Sequence, residues 1–239
     1  MTAEPLQAGA GKGTVDRNTR SNLIQAGLEL FSRFSFDGVS TRTLADHAGA
    51  NLAGIQYHFG GKEGLYCAVA QHIVEQTRKW LDPEITRIEK SFEHGAPSRE
   101  ECFILVCRLL DSSTVNVLGA PDSKKLFGFT VREQVEPGAA FDIMYEGIVK
   151  PMHNCFCLLI GNIMDLPPAS DETKLRAFGL MGQVVSFHIF SEDVNRLLEC
   201  NVSEAERLDR IRRVIIDNAA AIVGMNGVGF CSGSIGETK

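Results

Sequence analysis

Between Thr41 and Lys62 the chain gathers hydroxyl, guanidinium, amide, phenol, imidazole and ammonium groups: Thr41, Arg42 and Thr43, then Gln56, Tyr57 and His58, then Lys62. Such a set suits hydrogen bonding to a polyanion better than bond breaking. Hydroxyls, a guanidinium and free backbone N–H groups at a helix start can clamp a phosphate together. A glutamine amide can pair with adenine through two hydrogen bonds, worth roughly 1–3 kcal/mol of discrimination. Leu52 and Ala53, just upstream, are small enough to meet a thymine methyl. Tyr57 and His58 suit phosphates or sugars, and Lys62 suits a phosphate. Each also has a purely structural reading. Tyr57 could be half-buried packing, His58 a solvated or capped histidine, Lys62-Glu63 a helix-start charge pair, and Arg42 an ordinary surface arginine.

Two other groups invite chemistry and carry less. Cys155 and Cys157 with His153 suggest a metal, but thiols two apart on a helix point about 200° apart and cannot easily share one ion. For catalysis there is no nucleophile elbow, no His-Glu-x-x-His and no phosphate-cradling glycine loop; Gly60-Gly61-Lys62 lacks that spacing. No catalytic residue, cofactor or metal is therefore expected.

The elements that must position Thr41 to Lys62 are short helices. Periodicity at 3/4 spacing begins near Asn18, with Leu23, Gly27, Leu30, Phe31 and Phe34 on one stripe. Ser35-Phe36-Asp37-Gly38 ends it. Ser40 or Thr41 caps a second helix whose buried face is Leu44, Ala45 and Ala48. Gly49-Ala50-Asn51 is a tight turn, and Asn51 caps a third helix from Leu52 to about Phe59, closed by Gly60-Gly61. A long helix, a short helix, a three-residue turn and another short helix make a helix-turn-helix pattern. The rest also reads helical: Lys62 to about Lys90, a helix capped at Ser98, another from Ser123 to Gln134, and an apolar stretch to Met164 with a kink or split expected near Lys150 because Pro151 lacks an N–H. Two more helices are expected at 171–198 and 203–224. The reading is all-α.

The chain has 239 residues, 44% hydrophobic and 23% charged, enough to bury a sizeable core. No apolar run reaches the roughly 18 residues of a membrane span. Residues 1–15 read as a flexible arm without a secretory core. Seven cysteines, an odd number, fit reduced thiols in a cytoplasm. The net charge of −6 lies wholly outside residues 1–65, which are neutral overall. A neutral head beside an acidic body is compatible with a head that approaches phosphates.

The run Gly38 to Leu65 resembles the DNA-binding head of TetR-type transcriptional regulators. Ser40/Thr41, Leu44-Ala45, Ala48-Gly49, Tyr57-His58-Phe59 and Lys62-Glu63-Gly64-Leu65 carry the likeness, and Leu23 to Phe31 resembles the family's first helix. Arg132-Glu133-Gln134 with Pro137 and Ala140-Phe141, and later Gly182-Gln183 before Phe187, are similar to the CecR-type branch. Departures are Gly27 in place of the usual Ala, Ser35 in place of Gly, Gln56 in place of Tyr, and Gly54 in place of Thr. The last two are expected on the face that meets DNA.

The resemblance implies a flexible arm at 1–15, a helix-turn-helix domain at 16–65, a helical-bundle ligand-binding and dimerisation domain at 66–226, and a tail at 227–239. It implies a cytoplasmic homodimer that binds a palindromic double-stranded operator and is released by an unidentified small molecule, with no membrane involved. The dimer surface is expected on the last two helices, with Phe178, Met181, Val185, Phe187, Ile189, Val214, Ile215 and Ile222 as candidates. The effector pocket is expected around Phe127, Arg132, Glu133, Tyr145, Met152, His153 and Phe156, with a structural ion pair as the equal alternative for Arg132 and Glu133 and a satisfied histidine as that for His153. Lys12, Arg17 and Arg20 would add electrostatic contacts to DNA. The alternative is an all-helical small-molecule-binding protein or enzyme that does not use its head.

Overall fold

Hydroxyl and amide caps, placed where helical periodicity begins, set five of the helix starts. The computed structural model describes the backbone of residues 10–120, 122–198 and 203–225, with side chains from Asn18 onward in those ranges. The expected tail at 227–239, and residues 1–9 of the expected arm, lie outside the described residues, as do the side chains of Lys12 and Arg17. The described residues contain helices and no strand.

The helices are α1 (Ala10–Phe31), α2 (Thr41–His47), α3 (Leu52–Phe59), α4 (Lys62–Ser91), α5 (Arg99–Leu118), α6 (Ser123–Val135), α7 (Phe141–Met144), α8 (Lys150–Met164), α9 (Asp171–Ile189), α10 (Ser191–Leu197) and α11 (Glu204–Val223). A π-turn, Tyr145–Val149, joins α7 to α8. Ser40 caps α2, accepting from the Thr43 N–H at 3.0 Å. Asn51 caps α3 through the Ala53 N–H at 3.0 Å. Ser98 and Ser203 open α5 and α11 with reciprocal capping boxes to Glu101 and Glu206.

The chain divides into two compact units. The first takes the residues through Glu75 and adds Lys125–Tyr145. Its core holds Leu23, Phe31, Leu44, Ile55, Leu65, Val69 and Phe129. The second takes Gln76–Lys124 and the residues from Glu146 onward. There α5 packs on α8, α9 and α11, so it is buried on several sides. Its Ser113 and Thr114 hydroxyls donate to their own helix at Leu109 and Leu110, both at 2.7 Å. Asp111, also buried, receives the Arg212 guanidinium at 2.9 Å from α11.

Several expectations are corrected. Helix α1 begins at Ala10, well before the apolar stripe, because an established helix gains one hydrogen bond per added residue and needs no core partner. Phe34 lies past the end of α1 and is exposed. The helix expected over 171–198 breaks at Phe190, which separates α9 from α10. Ile215 belongs to the core of the second unit and not to a free face. The disturbance expected near Lys150 is the π-turn. Pro151 has no N–H for the Gly147 carbonyl four residues back, and Arg78 Nη1 donates to that carbonyl instead at 3.3 Å.

Candidate nucleic-acid interface

Helix α3 is amphipathic over two turns. Ile55 is buried at its inner face, while Leu52, Ala53, Gln56 and Tyr57 are exposed. Positions i, i+1, i+4 and i+5 lie on one side of a helix, so these four form a continuous outer face. Tyr57 is 77% exposed and Leu52 51%, high values for apolar or aromatic groups in a folded head. Gly60 ends the helix at φ 72, a left-handed conformation that favours glycine.

Gly54 is not on that face. A Cβ there would point at Leu23 and Thr19 of α1, 3.8 Å from each. The expectation that it meets DNA is corrected by helical phase: Gly54 precedes buried Ile55 and shares its inward side. Gly64 carries a constraint that spacing alone did not reveal. A Cβ on it would stand 1.8 Å from the Phe59 carbonyl oxygen, so the start of α4 can lie against the end of α3 only because this residue lacks one. Gly27 is explained similarly. The usual alanine would put its Cβ 2.7 Å from Val69 Cγ2.

Two cations flank α3, each over an aromatic ring. The Arg20 guanidinium lies 5.5 Å from the centre of Phe59, and the Lys62 ammonium 4.2 Å from the centre of Phe36. Tyr57 and His58 stand edge to face at 4.9 Å. At the start of α2, Arg42 and Thr43 are exposed and Thr41 is half-buried. The Thr43 hydroxyl is 2.8 Å from that of Ser40. The nine residues expected at DNA therefore all belong to α2, α3 and the first turn of α4.

The seven expected effector residues do not gather in one unit. Phe127, Arg132, Glu133 and Tyr145 belong to the first, and Met152, His153 and Phe156, all on α8, to the second. Arg132 donates to the Arg33 carbonyl at 2.9 Å. Glu133 is 2% exposed and accepts the Tyr66 hydroxyl at 2.6 Å and the Gly138 N–H at 3.2 Å. Burial first, and Glu133 second, push the Tyr66 hydroxyl above its ordinary pKa. Tyr145 stacks on Phe141 at 6.1 Å. Met152 Sδ lies 3.7 Å from the Ser113 hydroxyl, whose proton goes to the nearer Leu109 carbonyl. His153 lies 3.1 Å from the Lys174 carbonyl and 3.5 Å from Cys157 Sγ. Phe156 is core.

Glu29, His47 and Lys125 escaped sequence reading. Glu29 on α1 bonds Lys125 of α6 at 2.6 Å and His47 of α2 at 2.8 Å. The Lys125 hydrogen bond first, and that of His47 second, hold its carboxyl down to about 2. No local signal marks such a trio, because Lys125 is distant in sequence. Burial pushes the Cys155 thiol up to about 11 and the Cys107 thiol up to about 12, so neither is poised as a thiolate. Among the described residues no cluster of three or more His, Cys, Asp or Glu could hold a metal ion.

Comparison with known proteins matches two separate stretches of the chain. Residues 23–69 match the profile of bacterial regulatory proteins, tetR family. Residues 108–225 match the C-terminal domain of the HTH-type transcriptional dual regulator CecR. The chain is 27% identical to that regulator from Shigella flexneri over 199 residues, 82% of this chain and 87% of the relative. It is 36% identical over 61 residues to the transcriptional regulator RutR of Escherichia coli (strain K12), 26% of this chain and 27% of that one. Among solved structures, AibR in complex with isovaleryl coenzyme A and operator DNA aligns with a TM-score of 0.60 at 12% identity, covering 84% of this chain and 97% of that one. HlyIIR, a hemolysin II transcriptional regulator, aligns at 0.54 and 14%, covering 84% and 99%.

Proposed function

The chain belongs to the TetR family of bacterial regulatory proteins, in its CecR-like branch, and we propose that it is a ligand-responsive repressor, a homodimer that grips a palindromic operator and releases it when a small molecule binds. It is a transcriptional regulator with a DNA-binding head. The observation that carries the finer reading is the exposed face of α3, Leu52, Ala53, Gln56 and Tyr57, flanked by Arg20 and Lys62. A short helix with three or four base-reaching side chains and cations at its ends suits a major groove. On this reading Gln56 pairs with a base edge, and Leu52 and Ala53 meet methyl groups. Tyr57 and His58 touch sugar and phosphate. Thr41, Arg42, Thr43 and Lys62 hold phosphates.

One such helix reads too few base pairs for specificity. Two heads on a twofold axis reach major-groove faces about 34–36 Å apart. An exposed apolar stripe on α9 supports pairing: Leu175, Phe178, Val185 and Ile189, with Gly182 between. The effector reading draws on AibR, whose complex contains a small molecule and operator DNA together. Met152 and His153 on α8 are our candidates for polarisable and hydrogen-bonding pocket groups. The bonds of Arg132 and Glu133 to Arg33 and Tyr66 favour a structural role for that pair.

The test is fluorescence anisotropy with the duplex upstream of the protein's own gene. We expect a sequence-selective complex whose affinity falls steeply with salt. A protein that stays a single chain and ignores every duplex at low salt would refute the reading. Small molecules released from the purified protein, identified by mass spectrometry and added back, should weaken that complex; an unchanged affinity removes the switch.

A further inference from the structure

Phe36 lies in the connection between α1 and α2. Its ring is half-buried, and its surroundings give it a task. The Lys62 ammonium sits 4.2 Å from its centre. Tyr66 meets it edge to face at 5.0 Å, and Phe31 stacks on it at 6.2 Å. Tyr66 is fixed in turn. It packs on Phe31 at 4.8 Å and on Phe129 at 4.7 Å, and its hydroxyl is bound by the buried Glu133 carboxylate at 2.6 Å. The ring under Lys62 is therefore held by a cluster that reaches from α1 through α4 to α6.

We infer that Phe36 is a positioning residue for operator binding: its ring seats the Lys62 ammonium, so that a flexible side chain is presented to a phosphate from one fixed place. The inference rests on the reading that Lys62 contacts DNA. A lysine stem has many rotamers, and ordering it on binding costs affinity. A ring face attracts a cation electrostatically and leaves the ammonium's other side open to an oxygen. The seat removes part of the ordering cost before DNA arrives.

The test is a double-mutant cycle on operator affinity in the full-length protein. Phe36→Leu should weaken binding about threefold per head, roughly tenfold for two heads. In a Lys62→Ala background the same change should have an effect below about twofold, because the group it positions is gone. An equal loss in both backgrounds would overturn the inference and leave the function standing. A wild type that binds no duplex would overturn both. Because Phe36→Leu also thins an aromatic cluster, a second measurement uses the unaltered protein. The Lys62 ε-methylene protons should be shifted upfield by the ring current, relative to other lysines, in the free protein and in the operator complex. Lys62 resonances at the ordinary lysine position would overturn the inference by themselves.

Discussion

Gln56 and Lys62 lie within one turn of the end of α3, yet their chemistry predicts opposite phenotypes. Gln56→Ala removes a side chain suited to base edges, so it should cost about 1–3 kcal/mol at the cognate operator and little at unrelated duplexes. Lys62→Ala removes a charge suited to phosphate, so it should weaken all duplexes alike and flatten the salt dependence by about one unit of slope per head. Titrations of both variants against cognate and scrambled duplexes at several salt concentrations check this. Two identical profiles would refute the division of labour. This outer face was legible in the sequence because residue type and helical phase both belong to one short segment. Gly54 was misplaced because its neighbours in the motif suggested DNA, while one step of helical phase turns it toward Leu23. For Glu133 the sequence leaves two readings open, a pocket group or half of a structural ion pair with Arg132. Only the fold brings it to Tyr66.

Helices α2 and α3 were readable to within a residue because Ser40, Asn51, Gly49 and Gly60 mark their ends with local chemistry. The break at Phe190 has no such marker. The fastening of α6 to α1 was equally invisible, since it depends on Glu29 meeting Lys125 and Arg132 meeting the Arg33 carbonyl. That fastening predicts an acid response. Glu29 is held at about 2 in the folded head, below its unfolded value near 4.5. Its stabilisation is complete above the unfolded pKa and is lost as pH falls through the window from about 4.5 to about 2. Glu29→Gln should lower the melting temperature at pH 7 and flatten its decline across that window. A variant whose melting temperature tracks the wild type at every pH would remove Glu29 as a link between α1, α2 and α6. The π-turn gives a second element-scale test. Arg78→Met strands the Gly147 carbonyl and should cost about 1 kcal/mol. Adding Pro151→Ala restores a backbone N–H four residues on and should recover most of that loss, as measured by urea unfolding. No recovery would mean that the missing proline donor is not what Arg78 replaces.

At the scale of the whole molecule, charge and apolar surface are distributed unequally. Residues 1–65 are neutral, and the remainder carries the entire excess of −6. That asymmetry favours presenting the head, and not the body, to a polyanion. The profile match at 108–225 assigns residues 125–145 to the C-terminal domain, while packing assigns them to the first unit with α1 and α4. Sequence likeness follows chain order, and compactness follows contacts, so the two divisions need not agree. One apolar stripe lies on α9, where Leu175 is 71% exposed and Phe178 64%. Leu175, Phe178, Gly182, Val185 and Ile189 recur at steps of three and four, the spacing of a seam between helices. A Cβ at Gly182 would meet nothing within 4 Å, so another helix backbone has room to approach there. Phe178→Glu puts a charge in the middle of that seam. In a free monomer it would be a neutral surface change. In a dimer two carboxylates would be buried near the axis, at a cost of several kcal/mol. The variant should therefore sediment as a single chain, keep the wild-type helical circular dichroism, and lose operator affinity by the factor that joining two heads supplies, about a hundredfold or more. Binding that persists at wild-type strength from a protein sedimenting as one chain would show that one head suffices, and the twofold operator would go with it.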